Sequence, residues 1–193
     1  MKSTESPIRR SSLGIALGLA TSLFVLALGV EAQTRAGGDT GDFIPRASIV
    51  EVMDAMVMSS ADVLWNAVSV SVTENGVVES RPETDEEWAR LRWSAITMAE
   101  ASNSLVVPGR HVAPEGAPAP DPSDPSLAPA EIEGLIASNW AAWVGHAHVL
   151  EAAAQQAIDA IDAHDVDRLT DVGGTIDAAC ESCHLQFWYP NAQ

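Results

Sequence analysis

Apolar residues return along most of this chain at steps of three and four, the period of a helix with one buried face. No stretch is expected to alternate over a strand's length. Ser48 suits the cap of a first helix, whose stripe runs Ile49, Met53, Met56, Ser60, Leu64 and Ala67. The period predicts that this helix continues to about Thr73 and is stopped by Asn75-Gly76. Thr84-Asp85-Glu86-Glu87 opens a second helix, with acids in the first turn where the helix dipole favours them. Its stripe is Trp88, Leu91, Ala95, Met98, Ser102 and Leu105, and Pro108-Gly109 ends it.

The next segment has a different character. Seven of the chain's 11 prolines fall between Pro108 and Pro129, among Gly, Ala, Asp and Ser. Each fixes φ and removes a donor, so neither helix nor sheet is expected there. We read the segment as an extended, mobile crossover. A third helix is predicted from Pro129, a residue suited to a first turn, to about Ala163. Its stripe is Ile132, Ile136, Trp140, Trp143, Ala147, Leu150, Ala154, Ile158 and Ile161. After a tight turn at His164-Asp165, a fourth helix carries Leu169, Val172, Ile176, Cys180, Cys183 and Phe187 on one face until Pro190 stops it. Gly173-Gly174 costs it about 1 kcal/mol per glycine relative to alanine, so close approach of a neighbour or of a flat ligand is expected there. Four helices, two short turns and one long crossover predict an all-α fold, an antiparallel four-helix bundle. There is no internal repeat.

The N-terminus adds a separate element. Lys2, Arg9 and Arg10 form a basic start, Leu13 to Val30 is a largely apolar run, and Val30-Glu31-Ala32 places small residues where signal peptidase needs them. The expected organisation is a signal peptide over residues 1–32, an N-terminal extension over 33–47, and the bundle over 48–193 with the Pro-rich loop at 106–129. Cleavage after Ala32 would deliver a periplasmic or secreted product. An uncleaved anchor is the alternative, since the run is about the length of a membrane span.

Charge narrows the partners. The chain has 27 acidic and 10 basic residues, a formal net charge of −17. Binding to phosphate needs clustered Lys and Arg, so nucleic acid and anionic membrane are excluded as expected partners. A basic partner would be steered toward such a surface. An apolar fraction of 47% is ample for a packed core.

The chemistry concentrates at one place. Cys180 and Cys183, both of the chain's cysteines, stand three apart, and His184 follows at once. On a helix the two thiols share a face and the imidazole lies beside it. Cys-x-x-Cys-His is the attachment signature of c-type haem: two thioethers pin the porphyrin edge and the adjacent imidazole reaches the iron. The competing readings are a dithiol redox centre, whose βαβ setting is absent, a short-ring disulfide that staples little, and a zinc site. Zinc needs about four ligands, and His146, His148 or His164 would have to complete the set. His146 and His148 are two apart and point to different sides of a helix; His111 sits in the Pro-rich loop.

With export and an all-helical frame, Cys180, Cys183 and His184 on the last helix resemble cytochrome c′ and its low-spin relatives of the cytochrome c-556 type. Val52-Met53-Asp54-Ala55-Met56-Val57 and Ala61-Asp62-Val63-Leu64-Trp65 also resemble exported helical cytochromes of this kind. Phe187 can serve as the aromatic that usually follows the histidine, but Trp188 stands where the family has a basic residue. The resemblance implies one covalent haem c, His184 as proximal ligand, and the first helix over the distal face. In six-coordinate members a methionine of that helix binds the iron. Met53, near the helix start, is the expected distal ligand and Met56 the alternative. Met58 lies about 140° from Met53 on an α-helix, on the polar side with Glu51 and Asp62, and is set aside. The resemblance also implies a homodimer built on the first two helices. Arg92 and Arg46 are candidate partners for a haem propionate. Of the six tryptophans, Trp140 and Trp143 are expected to face the core.

The reading that follows is a one-electron carrier with His/Met-ligated iron, not an enzyme. Its alternatives are a five-coordinate cytochrome c′-like binder of nitric oxide or carbon monoxide, and a haem-free zinc or dithiol protein.

Overall fold

The computed structural model describes residues 43–74 and 76–191. The expected signal peptide, and the extension up to residue 42, lie outside them. The described chain is helical with one two-stranded hairpin. Among the described residues no helix is long and apolar enough to cross a membrane.

The first helical rod is assembled from three pieces. Helix α1 (Ile49–Val52) starts on Ser48, whose side chain and that of Glu51 cap one another's backbone N–H groups. A π-turn (Met53–Met58) follows, and α2 (Ser59–Trp65) completes the rod. The widened turn displaces carbonyls from their α-helical partners, and the Ser59 hydroxyl donates to the Ala55 carbonyl at 2.7 Å. The predicted helix to Thr73 is therefore corrected at its end. Ser69–Thr73 (β1) pairs antiparallel with Gly76–Ser80 (β2), Val70 opposite Glu79 and Val72 opposite Val77. Ser69-Val70-Ser71-Val72-Thr73 does alternate polar and β-branched residues, and Asn75-Gly76 is a hairpin signal as much as a helix stop. Gly76 has a φ of +118°, a region that L side chains rarely adopt.

Helix α3 (Asp85–Leu105) matches its prediction, with Thr84 and Glu87 forming the capping box. The predicted third helix is broken. Helix α4 (Pro129–Ser138) and α5 (Trp140–Asp162) meet at Asn139, whose φ of −128° leaves the helical region. Ser138 and Asn139 turn their side chains back onto the carbonyls of Gly134 and Leu135, the competition that makes such residues poor helix interiors. The break resets the phase. Trp143 is 1% exposed while Trp140, expected beside it in the core, is 40% exposed. The turn at His164-Asp165 falls where expected. His164 adopts a φ of 51° and stacks on Trp88, ring centroids 4.6 Å apart. Asp165 caps α6 (Val166–Phe187) by accepting from the Arg168 N–H.

Helix α3 packs along α5 and α5 along α6, while α2 lies against both α3 and α6. The core between them is largely alanine and branched aliphatics, with Trp143, Phe187 and Met98 as its largest fully buried members. The Pro-rich segment has neither helix nor strand, as expected, but it is tied down. The Ile49 and Val50 N–H groups donate to the carbonyls of His111 and Val112, and the Leu127 N–H donates to the Trp188 carbonyl at 2.7 Å. Val112 enters the core.

Candidate functional site

The last turns of α6 carry the thiols and the imidazole into one apolar cavity. Ala179, Cys180, Cys183, His184 and Trp188 form one part of its wall. Val50, Met53, Asp54, Val57 and Met58 come from the first rod, with Trp65 at its end, and Trp143, His146, Ala147 and Leu150 come from α5. The cavity holds about 210 Å³ and opens to solvent at its mouth. Among the described residues, Asp54 is the one carboxylate on its wall, and no arginine or lysine lines it.

Local packing orients the donors. The His184 ring contacts those of Trp188 and Tyr189, at centroid distances of 5.7 and 5.8 Å. The N–H groups of Trp188 and Tyr189 both donate to the His184 carbonyl, closing the helix there. The Tyr189 hydroxyl donates to Glu181 at 2.6 Å, which, with burial, raises the phenol to about 12. Trp188 stacks on Trp143 at 6.4 Å, and the Trp143 N–H donates to the buried Leu105 carbonyl at 3.1 Å. Each ring near the imidazole is thus held by backbone or by another ring.

Burial sets the protonation states. It pushes the Cys183 thiol up to about 12, with Cys180 adding to the effect. Burial, then the charge of Asp177, raises Cys180 above 9.0. Burial lowers His184 below 6.5, opposed by Glu181. At neutral pH both sulfurs keep their protons and the imidazole keeps a free lone pair. A redox dithiol depends on the opposite shift, toward thiolate. Among the described residues no group of three or more His, Cys, Asp or Glu side chains is arranged to hold a metal ion, as a structural zinc site requires.

The other sequence candidates divide. Met53 lines the cavity; Met56 is packed against the core and is not on the cavity wall. Met58, set aside on α-helical geometry, lines it. The π-turn is the reason: its i→i+5 pairing brings position 58 back over position 53, whereas an α-helix would swing it away. Arg92 is bound to Asp162 at 2.7 Å on the outside of α3 and α5, and Arg46 is exposed; neither reaches the cavity wall. His148 is exposed and His111 pairs with Glu133 at 3.3 Å.

Besides Met58, sequence reasoning gave His146 and Trp65 no place on this wall. His146 stands three residues after Trp143, on the face that α5 turns inward, with Nε2 2.7 Å from Gln186 Oε1 and its ring edge-on to Phe187. Its spacing from Trp143 was the available signal. Trp65 closes another side, and its role depends on Gly173, more than a hundred positions away in the chain.

Compared with known proteins, the chain matches no family model, no curated protein and no solved structure.

Proposed function

We propose that this chain is an exported, periplasmic monohaem c-type cytochrome of the antiparallel four-helix-bundle kind, a one-electron carrier rather than an enzyme. The observation that carries the reading is that Cys180, Cys183 and His184 line the same apolar cavity as methionine thioethers from a different helix. The donor set suits the group: two protonated thiols for attachment, a neutral imidazole for the iron, and soft thioethers for the second axial place.

Each cysteine S–H would add across a vinyl C=C of the porphyrin, sulfur to one carbon and hydrogen to the other, so no oxidant is consumed. When bound, the haem supplies an iron that exchanges one electron at a time. The chain's own work is to hold and insulate it. His184 presents its ring against those of Trp188 and Tyr189, which would limit the freedom lost on ligation. The apolar walls would limit water around the group, and a methionine thioether as second ligand beside the imidazole would favour the reduced state and raise the potential. With neither Arg92 nor Arg46 at the cavity, no arginine partner is assigned to the propionates. The strongly acidic chain steers encounter with a basic redox protein. The homodimer implied by resemblance remains part of this proposal.

Two measurements test it. The mature protein, made with haem-attachment machinery, should carry one haem by intact mass and show a low-spin, six-coordinate spectrum in both oxidation states. A bare polypeptide mass sinks the reading in favour of the haem-free alternative. A ferrous form that takes up carbon monoxide at once, with no ligand to displace, replaces the carrier with the five-coordinate gas binder.

A further inference from the structure

We propose that the π-turn gives the cavity two interchangeable axial thioethers, Met53 and Met58, either of which can occupy the second axial place of the iron. The inference rests on the cytochrome reading above and deepens it.

Three observations carry it. First, Met53 and Met58 both line the cavity and Met56, between them, does not. On an uninterrupted α-helix the pair at 53 and 56 would share a face, and 58 would point away. The π-turn spans Met53 to Met58, the two residues concerned. Such turns are rare, and they cluster at functional sites. Second, Met58 is the more exposed of the two methionines on the wall. It is 42% exposed, whereas Met53 is half-buried and packed against the hydrophobic core. An unbranched thioether on the solvent side of a cavity can turn inward at little cost in packing. Third, the Ser59 hydroxyl donates to the Ala55 carbonyl inside the turn, which gives one of its displaced carbonyls a partner.

The two thioethers differ in setting but not in chemistry. Met53 is half-buried against the core; Met58 is at the solvent side. Only one can bind at a time. Removing either therefore leaves the other to take the vacant place, and only the loss of both opens the iron.

The test uses the full holoprotein with Met53→Leu, Met58→Leu and the double variant. Leucine conserves volume, which keeps the packing cost small at Met53. Intact mass confirms haem loading in each. The readouts are the ferric and ferrous absorption spectra and the methyl resonances of isotope-labelled methionine in the reduced protein, where a ligating methyl is shifted far from the others. Both single variants should stay low-spin, each with one shifted methyl belonging to the methionine that remains. The double variant should turn high-spin and bind carbon monoxide without a lag. A high-spin iron in either single variant overturns the inference, because one methionine is then the sole ligand. A low-spin double variant overturns it as well, and moves the ligand elsewhere on the wall. A wild-type chain of bare polypeptide mass removes the cytochrome reading and this inference with it.

Discussion

The indole N–H of Trp65 donates to the carbonyl of Gly173 across 3.0 Å, joining the end of the first rod to α6 about two turns before Cys180. The approach is close: a Cβ at position 173 would stand 3.3 Å from the Trp65 ring, which would have to yield by a few tenths of an ångström. At Gly174 a Cβ would meet nothing within 4 Å. The close neighbour expected for this glycine pair is therefore found at one of its two positions.

Alanine substitutions separate the two. Gly174→Ala should stabilise the protein by roughly 1 kcal/mol through helix propensity, a rise in Tm of about 3 °C for a chain of this size. Gly173→Ala should lose that gain against the Trp65 ring and melt below Gly174→Ala. Calorimetry that found the two variants equally stabilised would contradict the Trp65 contact.

The break at Asn139 makes Trp140 and Trp143 unequal. Trp143→Phe leaves the buried Leu105 carbonyl without its donor and opens space beside Phe187, and should cost about 2–4 kcal/mol. Trp140→Phe should change stability by no more than about 0.5 kcal/mol. Urea midpoints at unchanged slope measure both. Equal losses would restore the single continuous helix.

Acid should weaken the start of α3. Two backbone N–H groups, at Glu83 and Thr84, with the Thr84 hydroxyl, hold Glu87 below its ordinary value of 4.5. The unfolded chain therefore takes up this proton first as pH falls. The cap's contribution is complete above pH 4.5 and is lost as pH drops through the lower folded value. Glu87→Gln keeps an acceptor but has no such proton to bind. Its Tm should fall less steeply than that of the wild type below pH 4.5, and parallel curves would rule the contribution out.

Attachment should depend on both thiols. Replacing Cys180 and Cys183 together with alanine should give a protein of bare polypeptide mass, while each single replacement leaves one thioether. The loss of Cys183, buried in the cavity wall, should destabilise the chain more than that of Cys180, which is half-buried. Chemical denaturation of the haem-free variants compares the two.

Much of the frame was legible along the chain because it depends on neighbours in sequence. The caps at Ser48 and Thr84, the turn at His164-Asp165, and the faces of α3 and α6 all follow from residues within a turn of one another. The misread places have a different cause. Ser69–Thr73 suits either the tail of a helix or a strand, and its partner across the hairpin decides between them. The break at Asn139 turns on whether two polar side chains bond backward to their own helix, which a hydrophobic period does not reveal.

By itself the sequence determined the chemistry: which sulfurs and which imidazole share a helix face, and that this face is apolar, because helical spacing is local. Only the tertiary structure decided what lies across from them. One widened turn exchanged Met56 for Met58 on the cavity wall, and packing of α5 brought His146 there. A change of hydrogen-bond partner by a single residue costs little locally, yet it rotates every side chain beyond it, and a pattern read at a fixed 3.6 residues per turn has no means of registering that.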